Sequence, residues 1–193
     1  MNSNALLIID MQNDFVLEDA PLKVKGSREI IPNIQKILAV CREVKIPVFH
    51  IVRVHRKDGS DVEIIRRETF RKTPFAVKGT PGAEIISEIV PQPGEFIISK
   101  IRMSAFISTD LELILKTISI TRLIVTGIQT PNCIRATVFD AIAHNYNVTL
   151  VRDAVQAQSN EIHTANVLDM ENIGVTVTDT SSLCEMLSKR VYT

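Results

Sequence analysis

Cys133 lies in the run Val125-Thr126-Gly127-Ile128-Gln129-Thr130-Pro131-Asn132-Cys133-Ile134-Arg135-Ala136-Thr137. An apolar strand enters a glycine and a short turn, and a Thr-Pro pair then opens a helix. Thr130 suits the N-cap, and Pro131 suits the first helical position, where its missing N–H would be unpaired anyway. Cys133 then falls in the first helical turn, at the positive end of the dipole. A thiol there ionises more readily, and the thiolate is the nucleophile. Two more reactive groups close apolar runs: Asp10 ends Ala5–Asp10, and Lys100 ends Phe96–Lys100. Taken singly, each has a bland reading. An Asp at a strand end caps a turn, a Lys is a solvated charge, and a Cys is a small buried hydrophobe. Cys41 and Cys184 are read that way, since each lies in an apolar helical stripe. Three reactive groups at three strand ends are harder to dismiss.

The elements that must position them alternate. Strands are predicted over Ala5–Asp10, Ile46–Val54, Phe96–Lys100, Leu123–Gly127, Val148–Val151 and Ile173–Thr178. Ile34, Ile37, Leu38, Cys41 and Val44 recur at helical spacing. Further helices are predicted over Ala83–Ile89, Leu111–Thr117, Asn132–Asn145, Glu161–Glu171 and Ser182–Ser188. Thr109-Asp110-Leu111-Glu112 has the form of a capping box. The strands are continuous Val/Ile/Leu runs, as in parallel strands buried on both faces. The expected architecture is α/β, a three-layer α/β/α domain with a six-stranded parallel sheet spanning residues 1–193. Ligands of such sheets bind beyond the carboxyl ends of the strands. With strand order 3-2-1-4-5-6, Asp10 and Cys133 flank one crevice. Lys100 then lies two strands from Asp10, roughly 10 Å away at about 4.8 Å per strand. One irregular stretch, Arg56–Thr80, is long enough to be functional.

Composition narrows the partners. The 22 basic and 22 acidic residues cancel, which argues against a nucleic-acid or membrane-surface binder. No apolar run approaches the roughly 20 residues of a membrane helix. No basic leader precedes the first strand, so a signal peptide is not expected. Three widely spaced cysteines do not make a disulfide framework, and the expected compartment is the reducing cytoplasm.

The chain resembles the isochorismatase-like cysteine hydrolase superfamily over nearly its full length. The matching stretches are Leu7-Ile8-Ile9-Asp10-Met11-Gln12-Asn13-Asp14-Phe15, Gly79-Thr80-Pro81-Gly82-Ala83-Glu84, Ser99-Lys100-Ile101-Arg102-Met103-Ser104-Ala105-Phe106, the run around Cys133, and Asp153-Ala154. The resemblance implies a catalytic triad of Asp10, Lys100 and Cys133. It also implies the strand order given above and a cis peptide at Ile128–Gln129. The backbone N–H groups of Gln129 and Cys133 are then the oxyanion-hole candidates. Phe15, Arg102, Phe106 and Thr130 are the candidates for substrate contact. A homodimer or homotetramer is expected, with Arg56–Thr80 as a lid or at the interface.

The departures are informative. Nicotinamidases of this superfamily carry an Asp-x-His metal motif after the second strand. Here the segment is Val52-Arg53-Val54-His55-Arg56, with Arg53 in place of the Asp. No further histidine follows between Lys57 and Lys100. No catalytic metal and no cofactor are expected. Isochorismatases that cleave a vinyl ether lack the cysteine, which is present here. What remains is a metal-free amidohydrolase acting on a small amide, carbamoyl or ureido compound. Competing readings are nicotinamidase or isochorismatase activity, thiol redox chemistry, and a non-catalytic small-molecule-binding member of the fold. Arg53, Arg56, Arg66, Arg67, Arg71 and Arg102 offer bidentate contacts to a substrate carboxylate, against the plainer reading of surface charge. His50, His144 and His163 are read as structural, and Phe70 as part of a lid or of a neighbouring subunit.

Overall fold

The computed structural model describes residues 3–189. Six parallel strands form one sheet: β1 (Asn4–Ile9), β2 (Val48–Arg53), β3 (Phe96–Lys100), β4 (Arg122–Ile128), β5 (Asn147–Gln156) and β6 (Thr176–Thr178). Their order is β3-β2-β1-β4-β5-β6, the expected one. Among the described residues the helices are α1 (Asn13–Val16), α2 (Ile31–Glu43), α3 (Arg67–Lys72), α4 (Leu111–Thr117), α5 (Arg135–Ala143), α6 (Asn160–Asn172) and α7 (Thr180–Lys189).

The period-2 geometry of the central strands makes the layers. In β1, Leu6 and Ile8 face one apolar cluster, with Ile34, Ile37 and Leu38 of α2 and Leu183 and Leu187 of α7. Ala5, Leu7 and Ile9 face the other, with Leu111 and Leu115 of α4, Val138 and Ala141 of α5 and Met170 of α6. All six residues of β1 are buried, which is why its sequence shows no polar alternation.

Four predicted elements differ. No α-helix forms over Ala83–Ile89; 3-10 turns at Pro81–Ala83 and Ser87–Ile89 flank an extended stretch. Its backbone groups bond to the chain after β1: Asn13 N–H donates to Glu84 O at 2.9 Å, and Ile86 N–H to Met11 O at 3.1 Å. Helical bonds would compete for the same groups. The capping box does not form either. The N-cap of α4 is Asp110, while Thr109 Oγ1 donates to Ala105 O at 2.5 Å and accepts from Leu111 N–H at 3.3 Å. β5 runs on to Gln156, past the predicted Val151, with a register shift against β4 between Val125 and Gly127. β6 starts only at Thr176, because Gly174 turns the chain at φ 99°.

The Arg56–Thr80 stretch is partly ordered by α3 and by a bridge from His55 to Val77. Phe70 is buried within its own chain, edge-on to His55 at 5.8 Å and to Phe75 at 5.4 Å.

Gly127 is where the sheet makes room for the site. It pairs with Ile9 in register, at φ 110°, and a Cβ there would lie 2.1 Å from Ile9 O. Gly174, at φ 99°, has nothing within 4 Å of such a Cβ. The left-handed backbone alone costs an L-residue about 1–2 kcal/mol. Gly174→Ala is expected to lose about that much in urea unfolding, and Gly127→Ala distinctly more because β1 must also shift. Equal losses would contradict this packing.

Candidate active site

Three strand ends and one helix start supply the reactive groups. Asp10 follows β1 at φ 55°, a left-handed conformation in which Asp is enriched, and its N–H donates to Ile51 O at 2.9 Å. That turn swings its carboxylate toward Lys100, the last residue of β3. Lys100 Nζ uses all three hydrogens: it donates to Asp10 Oδ2 at 2.9 Å, Arg102 O at 3.2 Å and Cys133 Sγ at 3.3 Å. Asp10 Oδ1 is buried without a hydrogen-bond partner among the described residues. Asp10 and Cys133 both line one cavity.

Cys133 sits in a π-helical turn, Thr130–Ile134, that leads into α5. The cap lies one residue earlier than expected. Gln129 is the N-cap, and its carbonyl accepts from Asn132 and Ile134 N–H at 3.0 and 3.1 Å. Thr130 is inside the turn and makes no cap; its Oγ1 pairs with His163 Nδ1 at 3.0 Å. The wider turn fits Pro131, which has no N–H to give. The Ile128–Gln129 peptide before it is cis.

The helix start does not make Cys133 acidic. Burial raises its pKa first and the Asp10 charge raises it further, against the lowering effect of Lys100 and Arg53. The resting group is a thiol. At an effective dielectric of about 20, unit charges about 4 Å apart interact by roughly 4 kcal/mol, so these neighbours decide its state.

Arg53 ends β2 and is 1 % exposed. Its Nη2 donates to Cys133 Sγ at 3.6 Å, and its Nη1 donates to both oxygens of Glu63 at 2.9 and 3.1 Å. Burial pulls the guanidinium pKa down, but the acidic groups around it, the Cys133 sulfur once ionised and the Asp10 and Glu63 carboxylates, more than offset this and hold it above its ordinary value. Gln12 fixes the backbone beneath it, accepting from Arg53 N–H at 2.7 Å and donating to Arg53 O at 2.8 Å.

The surroundings do not fit a divalent metal. Arg53 replaces the acidic ligand, and its Nη1 lies 3.4 Å from His55 Nε2, the atom an ion would need. His55 Nδ1 pairs with Asp61 at 3.3 Å. Burial and then the Arg53 charge lower the His55 pKa. Among the described residues no group of three or more His, Cys, Asp and Glu could hold an ion.

The cavity over Cys133 has a volume of about 30 Å³. Asp10, Arg53 and Cys133 form its reactive side; Phe15, Ile128 and Gln129 wall it; Val24, Arg66 and Asn132 complete it. A larger neighbouring cavity of about 460 Å³ shares Phe15, Arg66 and Gln129. Three sequence candidates lie elsewhere. Arg102 lines a separate cavity, and its Nη1 donates to Asp61 O at 2.7 Å. Phe106 stacks on His144 at 5.2 Å. Thr130 is held by His163, as above. Val24 and Asn132 carry no signal in the sequence that would place them here, and Arg66 looks there like any other arginine of the Arg56–Thr80 stretch. For Arg53 a signal does exist: an arginine closing the buried run Val-Phe-His-Ile-Val must find partners inside the protein.

Fold and site together define an isochorismatase-like hydrolase. The chain belongs to the isochorismatase domain family, which matches residues 4–182. A protein of Arabidopsis thaliana described as a probable inactive nicotinamidase is 48% identical over 177 residues, covering 90% of each chain. An N-carbamoylsarcosine amidase of Arthrobacter is 33% identical over 189 residues, 96% of this chain and 72% of that one. An isochorismatase family protein from Desulfovibrio vulgaris superposes with a TM-score of 0.93 at 41% identity, over 97% of this chain and 100% of its own.

The charge balance at Cys133 has a measurable sign. The raised pKa means that iodoacetamide alkylation of Cys133 should inflect above the ordinary thiol range. Asp10→Asn removes a charge that raises it, so the inflection should move down. An inflection that stays or rises in Asp10→Asn would contradict the assignment.

Proposed function

We propose that the protein is a cysteine-dependent amidohydrolase that cleaves a C–N bond of a small primary amide, carbamoyl or ureido compound. The observation that carries this reading is Lys100 Nζ, which joins Asp10 and Cys133 at 2.9 and 3.3 Å beside a cavity. A redox thiol needs neither partner, and a lapsed site has no reason to keep a buried Asp–Lys pair.

The mechanism follows from the donors and acceptors. Asp10 takes the thiol proton, and Sγ forms a bond to the carbonyl carbon. Charge passes to the carbonyl oxygen, which the N–H groups of Gln129 and Cys133 receive. The C–N bond breaks as protonated Asp10 gives its proton to the leaving nitrogen, releasing ammonia or an amine. Water then adds to the thioester with Asp10 as base, and the thiolate leaves and recovers a proton. Lys100 orients the carboxylate and stabilises the thiolate.

Cavity size supports a small reacting group. A water needs about 10–15 Å³ on this measure, so about 30 Å³ suits a planar carboxamide head. The outer cavity takes the rest of the substrate past Phe15 and Arg66. Arg53 in place of a metal ligand favours an amide other than nicotinamide. The relative described as a probable inactive nicotinamidase agrees with that. No cofactor takes part in this scheme. The zero net charge suits a small-molecule partner, and a nucleophile that must stay reduced suits the cytoplasm.

Ammonia release from ureido acids, carbamoyl amino acids, biuret-like compounds and nicotinamide tests the reading. Cys133→Ala is expected to lose at least about 1,000-fold on the true substrate, and chelators are expected to have no effect. Retained activity in Cys133→Ala, or zinc-dependent release from nicotinamide, would overturn it.

Ile64 and Ile65, just before α3, are 80% and 79% exposed, which supports this segment as the contact of the proposed oligomer. The protein is expected to elute as a dimer or tetramer, and Ile64→Glu with Ile65→Glu to shift it toward monomer. Unchanged elution would remove this surface from the interface.

A further inference from the structure

We propose that Arg53 is a built-in cation for the nucleophile, stabilising the Cys133 thiolate directly, and that Glu63 sets its strength. The inference rests on Cys133 being the nucleophile described above.

The geometry is specific to this role. The guanidinium is buried and touches the reacting sulfur with Nη2, while Nη1 is engaged by Glu63 and lies against His55. One planar group therefore faces the thiol on one side and its counter-charge on the other. Gln12 holds the backbone at both its N–H and its carbonyl, so the end of β2 cannot drift from the sulfur. The cation occupies the place in the sequence where a metal-binding Asp would stand, and it brings a fixed charge that needs no ion.

Charge counting explains why two cations are present. Lys100 is shared between Asp10 and the sulfur, so part of its field is spent on the carboxylate. When Asp10 accepts the thiol proton it becomes neutral, and the negative charge moves to sulfur between Lys100 and Arg53. Arg53 thus favours the product of that proton transfer, and it favours the thiolate again when the thioester collapses. The other groups nearby do not supply this charge. His55 is held neutral by burial and by Arg53, and the half-buried His163 is committed to Thr130. Arg66 lines the same cavity but makes no hydrogen bond to the sulfur among the described residues. Glu63 opposes the effect: it neutralises Arg53 from the Arg56–Thr80 stretch, so that stretch adjusts the reactivity of a thiol it does not touch.

The test is the pH–rate profile of Cys133 alkylation, which needs no substrate and no turnover. It therefore fails separately from the amidohydrolase reading. Arg53→Met combined with Glu63→Gln removes the cation without leaving a lone buried carboxylate. Its inflection is expected to rise by about one unit, and the rate below the inflection to fall about 3-fold. That fall is smaller than the tenfold loss of thiolate because a more basic thiolate is intrinsically more nucleophilic. Arg53→Lys should recover part of the shift. Glu63→Gln alone should move the inflection down, which keeps the proposal testable if the double variant does not fold. On an identified substrate, the double variant should lose kcat with little change in KM. An inflection unmoved in the folded double variant, or raised in Glu63→Gln, would overturn the proposal.

Discussion

Burying charges beside a thiol is the constraint on which this structure turns. Asp10, Lys100, Arg53 and Glu63 converge at the carboxyl ends of three strands and the loop after them, where unpaired ions would be strongly disfavoured. Two carboxylates and two cations cancel, and a neutral Cys133 leaves the cluster balanced. Burial first, and then the Asp10 charge, keep the thiol from being acidified at rest despite two cations within 3.6 Å. In the proposed mechanism a proton passing from Cys133 to Asp10 redistributes this charge without changing its sum.

The fold delivers these groups through sheet order and a few close contacts. β1 lies between β2 and β4, so Asp10 has Arg53 on one side and the turn carrying Cys133 on the other. Gly127 lets β4 pass against Ile9. The segment after β1 then works as a clamp. Gln12 grips Arg53, and Asn13 Nδ2 donates to Pro81 O at 2.8 Å. Asp14 accepts from Ala76 N–H at 2.7 Å and packs where a Cβ on Gly82 would lie 2.1 Å away. The Gly79–Glu84 motif is thereby tied to the Asp10–Phe15 motif, and the two act as one scaffold. Asp153, in the last matching stretch, holds a different element in place. Its Oδ1 accepts from the N–H and hydroxyl of Thr180 at the start of α7.

Arg53 and Arg102 mark the limit of reading side chains from a strand pattern. Both stand beside β2 or β3 ends, and both carry a guanidinium. Arg102 follows the strand into a bend, where its donors meet the carbonyls of Asp61 and Ile101. Arg53 is still in the strand, and its guanidinium meets Glu63, His55 and Cys133 inside the crevice. The buried run that Arg53 closes hints at its inward turn, but not at its contact with Cys133, 80 residues away, just as nothing local ties Arg102 to Asp61, 41 residues away. Thr130 is the same case, since its hydroxyl is taken by His163 on α6.

The sequence by itself determined the parallel α/β architecture, because runs such as Ala-Leu-Leu-Ile-Ile can be satisfied only with both strand faces covered. It also determined which reactive groups close the strands, since strand ends are local events. Tertiary structure alone decided which way the Cys133 pKa moves, the contacts of Arg53, the absence of a helix at Ala83–Ile89 and the position of the cap before Cys133. Each of these depends on charges or hydrogen-bond partners brought in from distant segments, whose approach is set by packing and not by periodicity.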